Sequence, residues 1–400
     1  MASESEVLEI AERFLREEIA PNAAEIDTDP EVLRTALKGL CERHLMTLRR
    51  PIEYGGPGVS EGAFRHFQEQ VARYSGTLAF LQTQHQSAGS MIAKSKNESL
   101  KLEYLPKMGN GERLLGIGFS QLRRSGPPLV RARPVKGGYM LDGHVPWVTG
   151  YSFYHEFLIG ATLPDGDAVF GVVPFDNVDS EAEGELSDYV EGTSLVEISA
   201  QSLLGASITG LEASFRPDVP DALPTTCSIK LSAPMQLAAM EAALTVTADL
   251  ENWFLPDRLV CFIQPADWIK NNDMINIVLQ GHFALGCARG SLDVLQAAAE
   301  KKGFAFLQDA YKALDRELEE CRAATQNPGD DRESPIDRLA IRAWAIDLAV
   351  RCAHAAVAAS SGAANSLQHP AQRLYREALV YTVSAQTPAI MEATLKRLAR

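Results

Sequence analysis

Apolar positions recur at helical spacing through the first hundred residues. Val7, Ile10, Ala11, Phe14 and Leu15 share one face of a 3.6-residue period, and Ser3 with Glu6 has the spacing of a capping box that starts that helix. The segment Tyr54-Gly55-Gly56-Pro57-Gly58 is too rich in Gly and Pro for a helix interior. After it the pattern predicts a second helical stretch from about Glu61 to Ser95. A short amphipathic piece follows, from Asn97-Glu98 to about Pro106.

From about Glu112 the period shortens. Gly138 to Gly143 reads as a strand entering a turn. Phe157–Ala161 and Ala168–Val173 flank Pro164-Asp165-Gly166, which is hairpin chemistry. Ala243–Ala248 alternates toward another strand. The tail returns to helical spacing, with helices predicted over Gly286–Lys301, Ala310–Thr325 and Ile336–Ala359, a break at Asn327-Pro328-Gly329, and a last helix after Pro370 with a kink at Pro388. The expected fold is multi-domain α+β: an N-terminal α-helical domain over 1–112, a middle β domain over 113–262 and a C-terminal α-helical bundle over 263–400.

Charge narrows the partners. The chain of 400 residues carries 38 Lys and Arg against 52 Asp and Glu, a net charge of -14. That field repels phosphate backbones and anionic lipid, so no nucleic acid and no membrane surface is expected as a partner. No apolar run is long enough to span a bilayer, and the acidic N-terminus is unlike a signal peptide. The six cysteines form no CxxC pair and read as reduced thiols of a cytoplasmic protein, with neither a disulfide framework nor a metal site expected. No HExxH, GxSxG or P-loop string is present, so the corresponding hydrolytic and nucleotide chemistries lack a motif.

Several local strings point the other way, toward one family. Tyr54 to Gly58 with Ser60 matches a YGGxGxS loop, and His85-Gln86-Ser87, Asn97-Glu98 and Tyr104-Leu105-Pro106 match a helix leading into a "YLP…GE" segment. Gly138–Asp142 with Pro146-Trp147-Val148-Thr149-Gly150 matches a "GYxLxGxKxWIT" strand pair. Gly362 through Arg373–Ala378 matches the stretch ending "RLYRDA". In this order, over nearly the whole chain, they resemble the acyl-CoA dehydrogenase superfamily.

The resemblance implies FAD between the β domain and the C-terminal bundle of a homodimer or homotetramer. The flavin supplies the redox chemistry, and the protein supplies binding, orientation and a base. Residue by residue it places Ser120 at the pyrimidine edge of the ring, Trp147 against the ring face and the Thr149 hydroxyl near N5. A flat aromatic wall with short donors suits such a ring. On their own residue types alone, Trp147 reads rather as a sheet-core tryptophan and Thr149 as a strand residue; the surrounding family pattern turns the expectation toward ring contact. At the phosphate end the family's serine position holds Gly126 beside Ser125. Arg123-Arg124 is either a phosphate grip or a solvated turn. The RxxFG arginine is replaced in Lys301-Lys302-Gly303-Phe304-Ala305, where Lys302 keeps charge but loses the bidentate fork. These changes weaken the expected hold on FAD and leave FMN or a reduced flavin as alternatives.

The base departs further. The usual glutamate positions read Ala385 and Asn276, neither of which takes a proton from carbon at neutral pH. Glu377, His282 and His85 are the nearest ionisable substitutes, each with a structural reading beside the catalytic one. Three functions follow: an FAD-dependent oxidoreductase of an acyl thioester or related CH–CH group without the usual base; a flavin-dependent monooxygenase on the same fold; or a flavin-free pseudoenzyme scaffold.

Overall fold

The computed structural model describes residues 3–179, 227–326 and 335–399. Ser3 accepts from the Glu6 amide and Glu6 reaches back to the Ser3 amide, starting α1 (Glu4–Phe14), whose Val7, Ala11 and Phe14 are buried. α2 (Ala23–Thr28) and α3 (Pro30–Glu42) follow. The stretch predicted as one helix from Glu61 is two, α4 (Glu61–Tyr74) and α5 (Gly76–Ala93). Ser75, extended at φ -154°, breaks them, and its hydroxyl caps α5 through the Leu78 amide. α6 (Glu98–Met108) is capped by Asn97 and continues past Pro106.

The middle of the chain is one sheet. Its strands are β1 (Leu115–Gly118), β2 (Val130–Val135), β3 (Gly138–Thr149), β4 (Glu156–Thr162), β5 (Ala168–Pro174), β6 (Val178–Asp179), β7 (Ser228–Leu231), β8 (Thr245–Pro256) and β9 (Val260–Gln264). They run in the order β6-β7-β8-β3-β2-β4-β5-β9, with β1 parallel to β4. The β4–β5 hairpin is antiparallel, Thr162 opposite Ala168. Between β3 and β8 the register slips by one residue from Val145/Ala248 to Val148/Val246, which leaves a bulge at Pro146-Trp147. A bulge re-aims the side chain it carries, and Pro146 lacks the amide that regular pairing would use.

The C-terminal part holds α7 (Trp268–Ile275), α8 (Gly281–Lys302), α9 (Ala305–Gln326), α10 (Pro335–Ser360), α11 (Pro370–Val383) and α12 (Pro388–Leu398). The break predicted at Asn327-Pro328-Gly329 lies outside the described residues. The predicted kink at Pro388 is a full break, because Ser384 leaves helical φ/ψ, Ala385 is left-handed at φ +48° and Thr387 caps α12 through the Ile390 amide. α8 packs on α4 at glycine: a Cβ on Gly286 would stand 2.3 Å from the Glu69 carbonyl oxygen, and one on Gly290 2.5 Å from that of Arg73. Most of the core is one apolar cluster running through helices and sheet alike, from Phe14 and Leu33 through Phe157 and Trp253 to Leu292 and Leu374.

Buried charge ties the parts together. Asp27 accepts from Thr77 Oγ1 (2.8 Å), Arg376 Nη2 (2.5 Å) and the Met240 amide (3.4 Å), joining α2, α5, α11 and the segment before β8. All six cysteines are buried and free, and burial pushes the Cys41 thiol up to about 11, far from thiolate reactivity. No described helix is long and apolar enough to cross a membrane.

Candidate active site

A cleft of about 610 Å³ opens where the sheet meets the helices. α5 presents Phe80, Thr83, Gln84 and Ser87 to it, a spacing that keeps one helical face on the cleft. The opposite face, with Leu78, Leu81 and His85, is buried. The sheet side supplies Ile117 from β1, Ser120 from the 3₁₀ turn after β1, and Trp147 from the bulge of β3. Phe119, next to Ser120, meets the Phe170 ring edge-on at 5.6 Å and so fixes that turn. The bundle supplies Gln280 and Phe283 at the start of α8, Tyr381 near the end of α11, and Ser384, Ala385 and Gln386 beyond it. The segment Leu237–Met240 closes one side.

Of the residues singled out in the sequence, the fold brings Ser120, Arg123, Arg124, Trp147 and Ala385 to this one cleft. Trp147 is 38% exposed, an unusually bare face for a tryptophan. Thr149 is buried and does not line the cleft; its Oγ1 lies 3.1 Å from Thr245 Oγ1 across β3 and β8. Ser125 is exposed, beside Gly126 at φ +105°. Lys302 sits at the far end of α8, where its Nζ donates to the Ala359 carbonyl (2.5 Å) and Ser361 Oγ (3.0 Å).

The arginine pair divides. Arg123 grips Asp273 through two bonds of 2.6 and 2.8 Å, tying the turn after β1 to α7. Arg124 is exposed, lines the cleft and has no side-chain partner among the described residues.

The second usual base position, Asn276, and the substitute bases are held elsewhere. Asn276 ends α7 and donates to the Asn272 carbonyl at 2.8 Å. His282 faces away from Phe283, buried with its Nδ1 3.9 Å from Glu69 Oε2, beyond hydrogen-bond range. Glu377 is wholly buried, accepting from Arg373 Nη1 (2.5 Å) and the Gly76 amide (3.1 Å). His85 is wholly buried too: its Nδ1 accepts from the Leu115 amide, so its Nε2 donates to the Met108 carbonyl, both at 2.9 Å. Both ring nitrogens are thereby spent. None of the residues lining the cleft is Asp, Glu or His.

Sequence reasoning missed Phe80, Phe283 and Tyr381. No signal in the sequence marks them: each is an aromatic at helical spacing that reads as core until the fold sets it beside the cleft.

Ala385 occupies a conformation that favours glycine, since a Cβ in the left-handed region crowds the backbone. Ala385→Gly is expected to leave the fold unchanged and raise stability by about 0.5–1 kcal/mol, read as a higher urea midpoint. A lower midpoint would show that the local strain is absent.

The cleft suits a flavin ring. Its volume lies within the roughly 300–1,000 Å³ of cofactor and ligand sites, with a bare indole wall and a hydroxyl at the ring-edge position. Arg124, exposed and without a side-chain partner among the described residues, is a cation that a phosphate group could meet there.

Residues 2–112 match the family model "Acyl-CoA dehydrogenase, N-terminal domain". A 3-(aryl)acrylate reductase of Clostridium sporogenes is 25% identical over 182 residues, 44% of this chain and 48% of the reductase. The mitochondrial isovaleryl-CoA dehydrogenase of Bos taurus is 31% identical over 144 residues, 34% of either chain. The match thus spans half or less of these curated relatives. Solved structures extend the likeness over the whole fold. The glutaryl-coenzyme A dehydrogenase glutaryl-CoA complex aligns at a TM-score of 0.73 and 18% identity, covering 99% of this chain and 95% of that one. FkbI, for biosynthesis of a methoxymalonyl extender unit, aligns at 0.72 and 15%, covering 97% and 99%.

Proposed function

From a chain that carries the acyl-CoA dehydrogenase fold from end to end and that superfamily's N-terminal domain, we propose a flavin-dependent oxidoreductase acting on the C–C bond beside the carbonyl of an acyl thioester. One observation carries the reading. The sheet's Ser120 and Trp147 and the bundle's Ala385 converge on a single cleft although they are far apart in the chain.

FAD, when bound, would accept or donate the hydride. The chain's own residues do the rest. Trp147 would wall the ring, Ser120 would bond its polar edge and Arg124 would meet the phosphates. Phe80 and Phe283 offer an apolar bed for the acyl group beside the reacting carbons. Likeness to both dehydrogenases and a reductase supports chemistry at a C–C bond in either direction.

We also place the domain boundaries at 1–112, 113–262 and 263–400, and a homodimer or homotetramer in a reducing, cytoplasmic setting. The exposed stripe Tyr375, Leu379 and Val383 on α11 supports self-association, and the free thiols support the setting.

The test is the visible absorbance of the purified protein with a thermal scan before and after added FAD. A flavin spectrum or an FAD-dependent rise is expected, since a ligand of the native state stabilises it by mass action, by about 2.7 kcal/mol at a hundredfold excess over Kd. Trp147→Ala is expected to weaken binding roughly 2- to 10-fold, the worth of one aromatic ring pair. No colour and no shift with FAD or FMN, oxidised or reduced, would favour a flavin-free scaffold. Oxygen-dependent turnover of a loosely held flavin would favour a monooxygenase.

A further inference from the structure

α5 buries most of its residues, yet beyond Phe80 the face it turns to the cleft is polar: Thr83, Gln84 and Ser87. All three are half-buried, so they are reachable from the cleft. A hydroxyl inside a helix commonly bonds the carbonyl four residues back. Ser90, Ser291, Thr325, Thr382 and Thr394 all do so here, at 2.8 to 2.9 Å. Thr83 and Ser87 do not, and neither hydroxyl has a hydrogen-bond partner among the described residues. The carbonyl within reach of Thr83, that of Ala79, already accepts from Gln82 Nε2 at 3.2 Å. Gln84 spends its Nε2 on the Phe80 carbonyl at 2.9 Å, which leaves its Oε1 as an acceptor. Gln280, at the start of α8, caps nothing and adds a half-buried amide to the same cleft.

These groups are neutral, and each hydroxyl both donates and accepts. No carboxylate or histidine lines the cleft, and Arg123 is spent on Asp273. A bare hydrocarbon chain would drive water from the two hydroxyls and leave them unbonded, which is costly. An alcohol group on the ligand replaces that water bond for bond, and a site built to bond a hydroxyl rejects the analogue that lacks it.

We propose that this cleft selects acyl thioesters hydroxylated along the acyl chain, with Thr83 and Ser87 as its specificity-determining residues. The inference rests on the acyl-thioester reading above and adds which acyl group is taken. The two residues stand about one helical turn apart, roughly 6 Å along the axis, so they meet an extended chain at two points. Phe80, on the same face, keeps an apolar contact for the chain's carbons.

Anaerobic calorimetry of the FAD-loaded protein compares butyryl-CoA with its 2-, 3- and 4-hydroxy derivatives. At least one hydroxy isomer is expected to bind about 10-fold more tightly than butyryl-CoA, the worth of two modest hydrogen bonds. Thr83→Val combined with Ser87→Ala keeps the shape of the wall and removes both hydroxyls. The double variant is expected to lose that preference by binding the hydroxy isomer more weakly, with the flavin spectrum unchanged. Its urea midpoint is expected to be no lower than the wild type's, because no internal hydrogen bond is lost. The CoA arm is common to all four probes, so an equal weakening of butyryl-CoA would assign the hydroxyls to that arm and overturn the inference. Equal affinity for butyryl-CoA and all three isomers in the flavin-loaded wild type would overturn it too, and leave the flavin reading intact. A protein that takes up no flavin, or binds none of the four thioesters, defeats that reading and this inference with it.

Discussion

Glu377→Ala is expected to cost about 3–5 kcal/mol of stability, because it strands the buried Arg373 guanidinium without its counter-charge. The pair is well shielded: Glu377 is fully buried and Arg373 is 5% exposed. Burial pushes the Glu377 carboxyl up although Arg373 pulls it down, so the charges survive only by facing each other. The same carboxylate accepts the Gly76 amide at the start of α5, and a Cβ on Gly76 would stand 2.5 Å from Glu377 Cδ. Equilibrium unfolding in urea measures the loss. An Arg373→Leu/Glu377→Leu double variant is expected to recover most of it, since removing both charges leaves none unpaired. If the double variant is as unstable as E377A, packing rather than charge holds the site.

Stability is expected to fall by about 3 kcal/mol as pH drops from 7.5 to 4 on account of His85 alone. Burial, first among its causes, lowers the His85 imidazole to about 4 from its usual 6.5, outweighing the two backbone bonds. The folded protein therefore keeps the ring neutral while the unfolded chain protonates it. Stability from this group is complete above the unfolded value, is lost as pH falls through 6.5 toward 4, and changes no further below. Glutamine at 85 has an oxygen for the Leu115 amide and an N–H for the Met108 carbonyl, and it does not titrate. His85→Gln is thus expected to flatten the slope in urea midpoints between pH 7.5 and 5. An unchanged slope would assign the acid sensitivity to other groups.

Much of the candidate site was legible in residue strings. Ser120, Trp147 and Ala385 were identified from resemblance, and they do face one cleft. The strings did not distinguish Arg123 from Arg124, because only the fold sets Asp273 beside the first. Nor could they tell which way His282 points: neighbours on a helix diverge by about 100°, so Phe283 lines the cleft while His282 turns toward Glu69. Tyr381 escaped notice because a tyrosine in a helix reads as core until the fold sets it beside the cleft.

The sequence by itself determined what depends on neighbours in the chain. The capping box at Ser3 and Glu6, the Asn97 cap, the Pro164-Asp165-Gly166 hairpin and the helical period of α8 to α10 all arise from residues within a turn or two of each other. Only the tertiary structure decided what depends on distant partners. The break at Ser75 serves a glycine that must meet Glu377 three hundred residues on. The bulge that bares Trp147 exists because β3 must pair with β8 a hundred residues later. The physical reason is the same in both cases: short-range hydrogen bonds and periodicity are written locally, whereas desolvation and close packing are set by whatever the folded chain brings alongside.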